Sequence, residues 1–214
     1  MAAEHKGRAE GKKVIVTGAG QSPGETIGNG RAMALLFARE GGEVVCVDRV
    51  LDRARESVEM ILAEGGKATA VKCDVSKADD VEAMVAEAKA TLGRIDILIN
   101  NVGIGGRDGP VHRLEEAAFD RTMSVNLKGP WLVSKAVIPL MREGGGGAIV
   151  NISSLAATSG GNQMAYEVSK AAVNRLTTST AQSNARHKVR ANAIMMGFMD
   201  TPMAVSGIAA ASGR

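Results

Sequence analysis

Short runs of apolar, largely β-branched residues alternate along this chain with longer amphipathic stretches, and that alternation leaves few folds open. The runs fall at 14–17, 43–47, 68–72, 95–99, 148–152 and 190–194, and helix-like stretches lie near 30–40, 51–64, 78–92, 114–142 and 164–186. Runs that are apolar nearly throughout suit strands covered on both faces, and connections of helical length suit parallel strands. Right-handed crossovers then lead to a doubly wound α/β architecture, one domain over 13–214. The glycine run at 144–147 is too short to separate domains, and no internal repeat is present.

Composition narrows the function classes. Aromatic residues make up 2% of the chain, so the core must be built from Ala, Val, Ile, Leu and Met. The net charge of +3 owes much to His5, Lys6, Arg8, Lys12 and Lys13 near the start, which predicts a flexible basic arm over 1–12. No later segment interleaves basic and aromatic residues, so nucleic acid is not an expected partner. The chain shows neither a signal peptide nor an apolar run of about 18 residues, and the expectation is a cytoplasmic protein without membrane contact. Cys46 and Cys73 sit inside apolar runs as buried thiols, and no residue spacing suggests a metal site.

The first strand runs into Thr17-Gly18-Ala19-Gly20, and a helix begins near Gly28-Asn29-Gly30. Glycines there let backbone approach a pyrophosphate, whose charge is favoured by the free N–H groups of a helix start. The second strand ends in Asp48, whose carboxylate could accept hydrogen bonds from ribose hydroxyls and repel a 2′-phosphate; the plainer alternative is a helix cap. Further along, Tyr166 and Lys170 are four residues apart, on one face of a helix. A free phenol titrates near 10, and a cation within about 4–6 Å favours its ionised form, which suits general acid–base work near neutral pH. Tyr166 is the only tyrosine in the chain. The fifth strand ends in Asn151-Ile152-Ser153-Ser154, where a hydroxyl could meet a carbonyl oxygen. Asn126 falls inside a helical stretch, a mildly unfavourable place for asparagine unless its amide is used elsewhere.

These segments together resemble the short-chain dehydrogenase/reductase family, over roughly 13–203. The turn is similar to the family's Thr-Gly-x-x-x-Gly-x-Gly, with six extra residues between Gly18 and Gly28 that should bulge beside the pyrophosphate. Asp74-Val75 resembles the family's pair at the third strand end, whose aspartate reaches the adenine amino group. Asn100-Asn101-Val102-Gly103 resembles Asn-Asn-Ala-Gly, and Asn192 to Gly197 resembles Asn-x-x-x-Pro-Gly with Met196 in place of proline. The resemblance implies a Rossmann fold and an oxidoreductase that transfers hydride between NAD(H), rather than NADP(H), and a secondary alcohol or ketone. It further implies cofactor contacts from Gly18, Gly28, Asn29, Gly30, Asp48, Asp74, Val75, Asn101, Gly103, Tyr166, Lys170, Met199 and Thr201.

In the implied mechanism Tyr166 moves the proton, and Lys170 tunes it while holding the nicotinamide ribose. Ser154 (Ser153 being the alternative) polarises the carbonyl, and Asn126 holds a water on the proton path. Family members form homodimers or homotetramers through long helices equivalent to 114–142 and 164–186. They also carry a seventh strand that has no counterpart here, which leaves a nucleotide-binding regulator or an inactive short relative as the second functional reading.

Overall fold

The computed structural model describes residues 7–105 and 108–202. Its sheet has six strands, β1 (Lys13–Thr17), β2 (Glu43–Asp48), β3 (Lys67–Lys72), β4 (Ile97–Asn100), β5 (Gly147–Ser154) and β6 (Val189–Met196), all parallel and ordered β3-β2-β1-β4-β5-β6. The helices are α1 (Asn29–Arg39), α2 (Leu51–Ala63), α3 (Ala78–Leu92), α4 (Glu116–Met123), α5 (Gly129–Glu143) and α6 (Met164–Asn184). This is the doubly wound parallel fold.

Strand side chains alternate between two cores, which explains why the runs read as apolar throughout. Ile15, Val45, Val47, Leu98 and Ile149 face a cluster built with Met84 of α3 and Val137 and Met141 of α5. Val14, Val16, Val44, Cys46 and Ile99 face the opposite way, onto Ala34 and Leu35 of α1 and Ala54 and Ile61 of α2. No helix among the described residues is long and apolar enough to cross a membrane.

Three local features depart from the sequence expectations. The helix expected over 114–142 is α4 and α5 joined by a π turn at Ser124–Lys128, which carries Asn126. Single π turns inside helices are uncommon and concentrate at functional sites. The fourth strand starts later than expected, at Ile97, although Asp96 before it is already tied to the first strand: its carboxylate accepts the Lys13 amide at 2.8 Å and its own amide donates to the Lys13 carbonyl. Of the arm expected over 1–12, residues 1–6 lie outside the described residues. The rest is docked: Ala9 is buried, its amide donates to the Glu40 carbonyl, and Arg8 pairs with the Glu40 carboxylate at 3.1 Å.

Candidate active site

A cleft of about 250 Å³ opens at the carboxyl ends of the strands, where the chain order reverses between β1 and β4. In open α/β sheets this is where ligands sit, because neighbouring crossovers there leave to opposite faces. Beyond Thr17 the chain turns at Gly18, whose φ of +66° favours glycine. A side chain on Gly30, in the first turn of α1, would collide with the Gly18 carbonyl. The start of α1 can therefore lie against the turn only because Gly30 has no Cβ. Gly28 and Asn29 line the same wall, and the first turn of α1 has no acidic side chain to oppose an anion.

The turn is braced from α2, by residues that sequence reasoning missed. The buried Ser57 hydroxyl donates to the Ala19 carbonyl at 2.7 Å and accepts from Arg31 Nε at 2.9 Å. Arg31 is held in turn by Glu56 at 2.7 Å. A serine and an arginine on two exposed-looking helices give no local signal of this. Within the extra residues of the turn, Gln21 Oε1 accepts the Gly28 amide at 2.8 Å. The insert then reaches across the cleft: a Cβ on Gly24 would stand 2.9 Å from the Pro202 ring, and Gln21, Ser22, Thr201 and Pro202 all line the opening.

Asp48 bonds the residue that precedes α2 and also lines the cleft. One oxygen accepts the Val50 amide at 2.9 Å, and the other lies against Gly20 in the cleft wall, with Arg49 and Arg53 nearby. Asp74 accepts from the Ser76 amide at 3.0 Å and hydroxyl at 2.6 Å. Burial pushes its carboxyl up, but those bonds and the cations Arg121 and Lys77 outweigh it and hold it below the usual range. Val75 beside it is buried. Burial pushes the Cys46 and Cys73 thiols up to about 12, so neither is a ready nucleophile.

Asn101 ties β4 to the glycine turn, its amide nitrogen donating to the Thr17 and Gly18 carbonyls at 3.2 and 3.1 Å. Asn100 points into the sheet and donates to Ser134 and to Asn151, which in turn donates to Thr177 of α6 at 2.8 Å. Behind Gly103 lies Lys170: a Cβ on Gly103 would stand 3.1 Å from its Nζ. Lys170 is 3% exposed, and its ammonium donates to the Ile152 carbonyl at 2.8 Å and lies 5.6 Å from the centre of the Tyr166 ring. Burial alone pushes Lys170 down, to about 8.

Asn126 is fully buried and brackets one residue, accepting the Ile104 amide at 2.8 Å and donating to the Ile104 carbonyl at 2.9 Å. It also donates to Ser169 at 3.1 Å, whose hydroxyl donates to the Tyr166 carbonyl at 2.7 Å. The two serines of β5 face opposite ways. Ser153 is buried and donates to the Lys170 carbonyl at 3.0 Å, whereas Ser154 is partly open and, among the described residues, accepts only the Ala156 amide, at 3.1 Å. Five expected residues are outside the cleft lining: Asn126, Ser154, Tyr166 and Lys170, of which Asn126 and Lys170 lie directly behind Ile104 and Gly103, and Met199. Met199 is 42% exposed and lies outside the cleft lining, because the segment after β6 runs along the surface and turns inward only at Thr201, which is buried.

Residues 12–210 match the family model described as short chain dehydrogenase. The chain belongs to the short-chain dehydrogenase family. It is 41% identical over 189 residues to an oxidoreductase of Thermotoga maritima, covering 88% of this chain and 72% of that protein. Its structure superposes with a TM-score of 0.90 on a short-chain dehydrogenase/reductase from Burkholderia xenovorans, at 40% identity, covering 96% of this chain and 81% of the other. A second neighbour, a 7α-hydroxysteroid dehydrogenase complexed with NADH and 7-oxo glycochenodeoxycholic acid, superposes at 0.87 with 35% identity over 93% of this chain and 75% of its own.

This short-chain dehydrogenase is accordingly an NAD(P)-dependent oxidoreductase that acts on a small molecule. The residues present fit a dinucleotide: a glycine cradle that a Cβ would fill, a helix start without acidic side chains, and carboxylates at the ends of β2 and β3.

Proposed function

We propose that the protein transfers hydride between NAD(H) and a secondary alcohol or ketone, with Tyr166 as proton carrier. The observation that carries this reading is Lys170. A lysine 3% exposed, lowered by burial and ion-paired with no carboxylate among the described residues, is costly to the fold, and such costs concentrate at functional sites. It lies beside both Gly103, a residue of the cleft, and the Tyr166 ring of α6.

Each residue then has one task. Tyr166 takes the alcohol proton in oxidation and returns it in reduction, and the Lys170 cation favours its ionised form. Ser154 has its O–H free to donate to the substrate oxygen as negative charge develops there. Asn126 fixes Ile104 and, through Ser169, the backbone of Tyr166, so its side chain holds the site's frame. A water on the proton path would have to use the lone pair of Asn126 that remains. When bound, the nicotinamide accepts or supplies the hydride.

Gly18, Gly28, Asn29 and Gly30 are assigned to the pyrophosphate, Asp74, Val75 and Asn101 to the adenosine, Gly103 and Lys170 to the nicotinamide ribose, and Thr201 to the carboxamide. The choice of NAD(H) rests on Asp48, whose carboxylate lines the cleft at the end of β2 and would repel a 2′-phosphate brought near it. The neighbour solved with NADH and a 7-oxo compound is consistent with both the cofactor and the substrate class.

The test is a panel of secondary alcohols with NAD, followed by absorbance of the reduced nicotinamide, on the parent and on Tyr166→Phe. Turnover that falls by about 100-fold or more in the variant, with NADH affinity within about three-fold, is the expected result. Activity retained within a few-fold would assign the proton to another group.

A further inference from the structure

The helix that carries Tyr166 caps its own start only in part: Glu167 accepts the Gln163 amide at 3.0 Å and the Gly161 amide at 2.7 Å, and nothing within the helix takes the three amides that follow. α6 starts at Met164, Gln163 before it makes no side-chain cap, and the first three amides of a helix have no partner within it. All three are taken by one short segment after β4. The Met164 amide donates to the Gly109 carbonyl at 3.4 Å, Ala165 to Asp108 Oδ1 at 3.1 Å, and Tyr166 to Asp108 Oδ2 at 2.7 Å. Asp108 is thus a helix cap delivered from 58 positions away in the chain. A carboxylate is well suited to the task, since it accepts two amides at once and its charge lies at the positive end of the helix.

The same segment is anchored at its other end. The backbone of Ile104 is bracketed by the amide of Asn126 on the π turn, and Asn126 reaches Ser169, which holds the Tyr166 carbonyl. The peptide groups of Tyr166 are therefore gripped on both sides, the N–H by Asp108 and the C=O by Ser169. We propose that Asp108 is a positioning residue for Tyr166, fixing where the phenol enters the site and tying that placement to the loop that follows the fourth strand. Asp108 acts through the helix start and does not itself touch the reacting atoms. Misplacement of a reacting group by about 1 Å can cost on the order of 100-fold in rate, so a cap in this position has leverage over turnover.

The inference rests on the reading of Tyr166 as proton carrier, and the experiment separates the two. In Asp108→Ala and Asp108→Asn, kcat and KM are measured with the best alcohol of the panel at saturating NAD. NADH affinity and the exchange rates of the Ala165 and Tyr166 amides are measured in parallel. The expected result for alanine is a fall in kcat of about 10-fold or more, with KM and NADH affinity within about three-fold and faster exchange at both amides. Asparagine keeps one carbonyl acceptor and should recover a substantial part of the loss. The proposal is overturned if kcat in the alanine variant stays within two-fold of the parent. It is also overturned if NADH affinity falls in step with kcat, or if asparagine is no better than alanine. Should the parent turn over no alcohol, the reading of Tyr166 fails, and the exchange rates still decide the cap: unchanged exchange at both amides refutes it.

Discussion

Replacing Lys170 by methionine should make the nucleotide-free protein more stable at neutral pH while abolishing its turnover. Burial lowers Lys170 from 10.5 to about 8, which corresponds to roughly 3 kcal/mol of destabilisation wherever the group is charged in both the folded and the unfolded chain. Methionine removes the charge, keeps a long apolar stem, and forfeits the hydrogen bond from Nζ to the Ile152 carbonyl, a loss of about 1 kcal/mol. The net expectation at pH 7 is a gain of about 2 kcal/mol. The sign of the pH dependence follows from proton counts. Below about 8 both states of the parent hold the proton and the destabilisation is complete. Between about 8 and 10.5 the folded chain sheds it first, the unfolded chain binds more protons, and the parent gains stability as pH rises. The advantage of the variant should shrink by about 2 kcal/mol between pH 7 and pH 9.5. Urea unfolding of both proteins at the two pH values, without nucleotide, measures this directly. A parent more stable than Lys170→Met at pH 7, or a difference independent of pH, would refute the argument that a costly buried charge is kept for function.

Other expectations follow from single contacts. Asp48→Ala should narrow the preference for NADH over NADPH in fluorescence titrations, and equal affinities in the parent would remove the basis for the NAD assignment. Gly30→Ala sets a Cβ against the Gly18 carbonyl, so it should destabilise the fold by about 1–3 kcal/mol in thermal unfolding and weaken NADH binding; a neutral substitution would mean the turn can yield. The helices α4–α5 and α6 expose Trp131 and Val168, and pairing of these helices between two copies predicts a homodimer by light scattering. A monomer at micromolar concentration would count against that pairing.

The sheet was legible from the chain because its signal is local. Apolar runs such as Val14–Val16 and Val44–Val47 announce strands buried on both faces, and the spacing between them leaves room only for crossover helices. Tyr166 and Lys170 were equally readable, since a helix converts a separation of four residues into a shared face. Gly18 and Gly30 could be picked out because they stand where the first strand ends and the first helix begins, despite the six extra residues between Gly18 and Gly28.

What the tertiary structure alone decided are relations between distant residues and the orientations that follow from them. Ser153 and Ser154 look equivalent in sequence, and only the packing of β5 under α6 buries the first and leaves the second partly open. The π turn at Ser124–Lys128 is invisible to a 3.6-residue pattern and becomes evident only when Asn126 brackets Ile104. Met199 was expected beside the cofactor from its place near Thr201, yet the path of the segment after β6 leaves it facing solvent. Asp108, set in a loop far from α6 in sequence, becomes a helix cap because β4 and β5 are neighbours in the sheet and bring the loop after β4 against the start of α6. Periodicity encodes which face of an element is buried; which distant side chain completes its end is fixed only when the strands have taken their order.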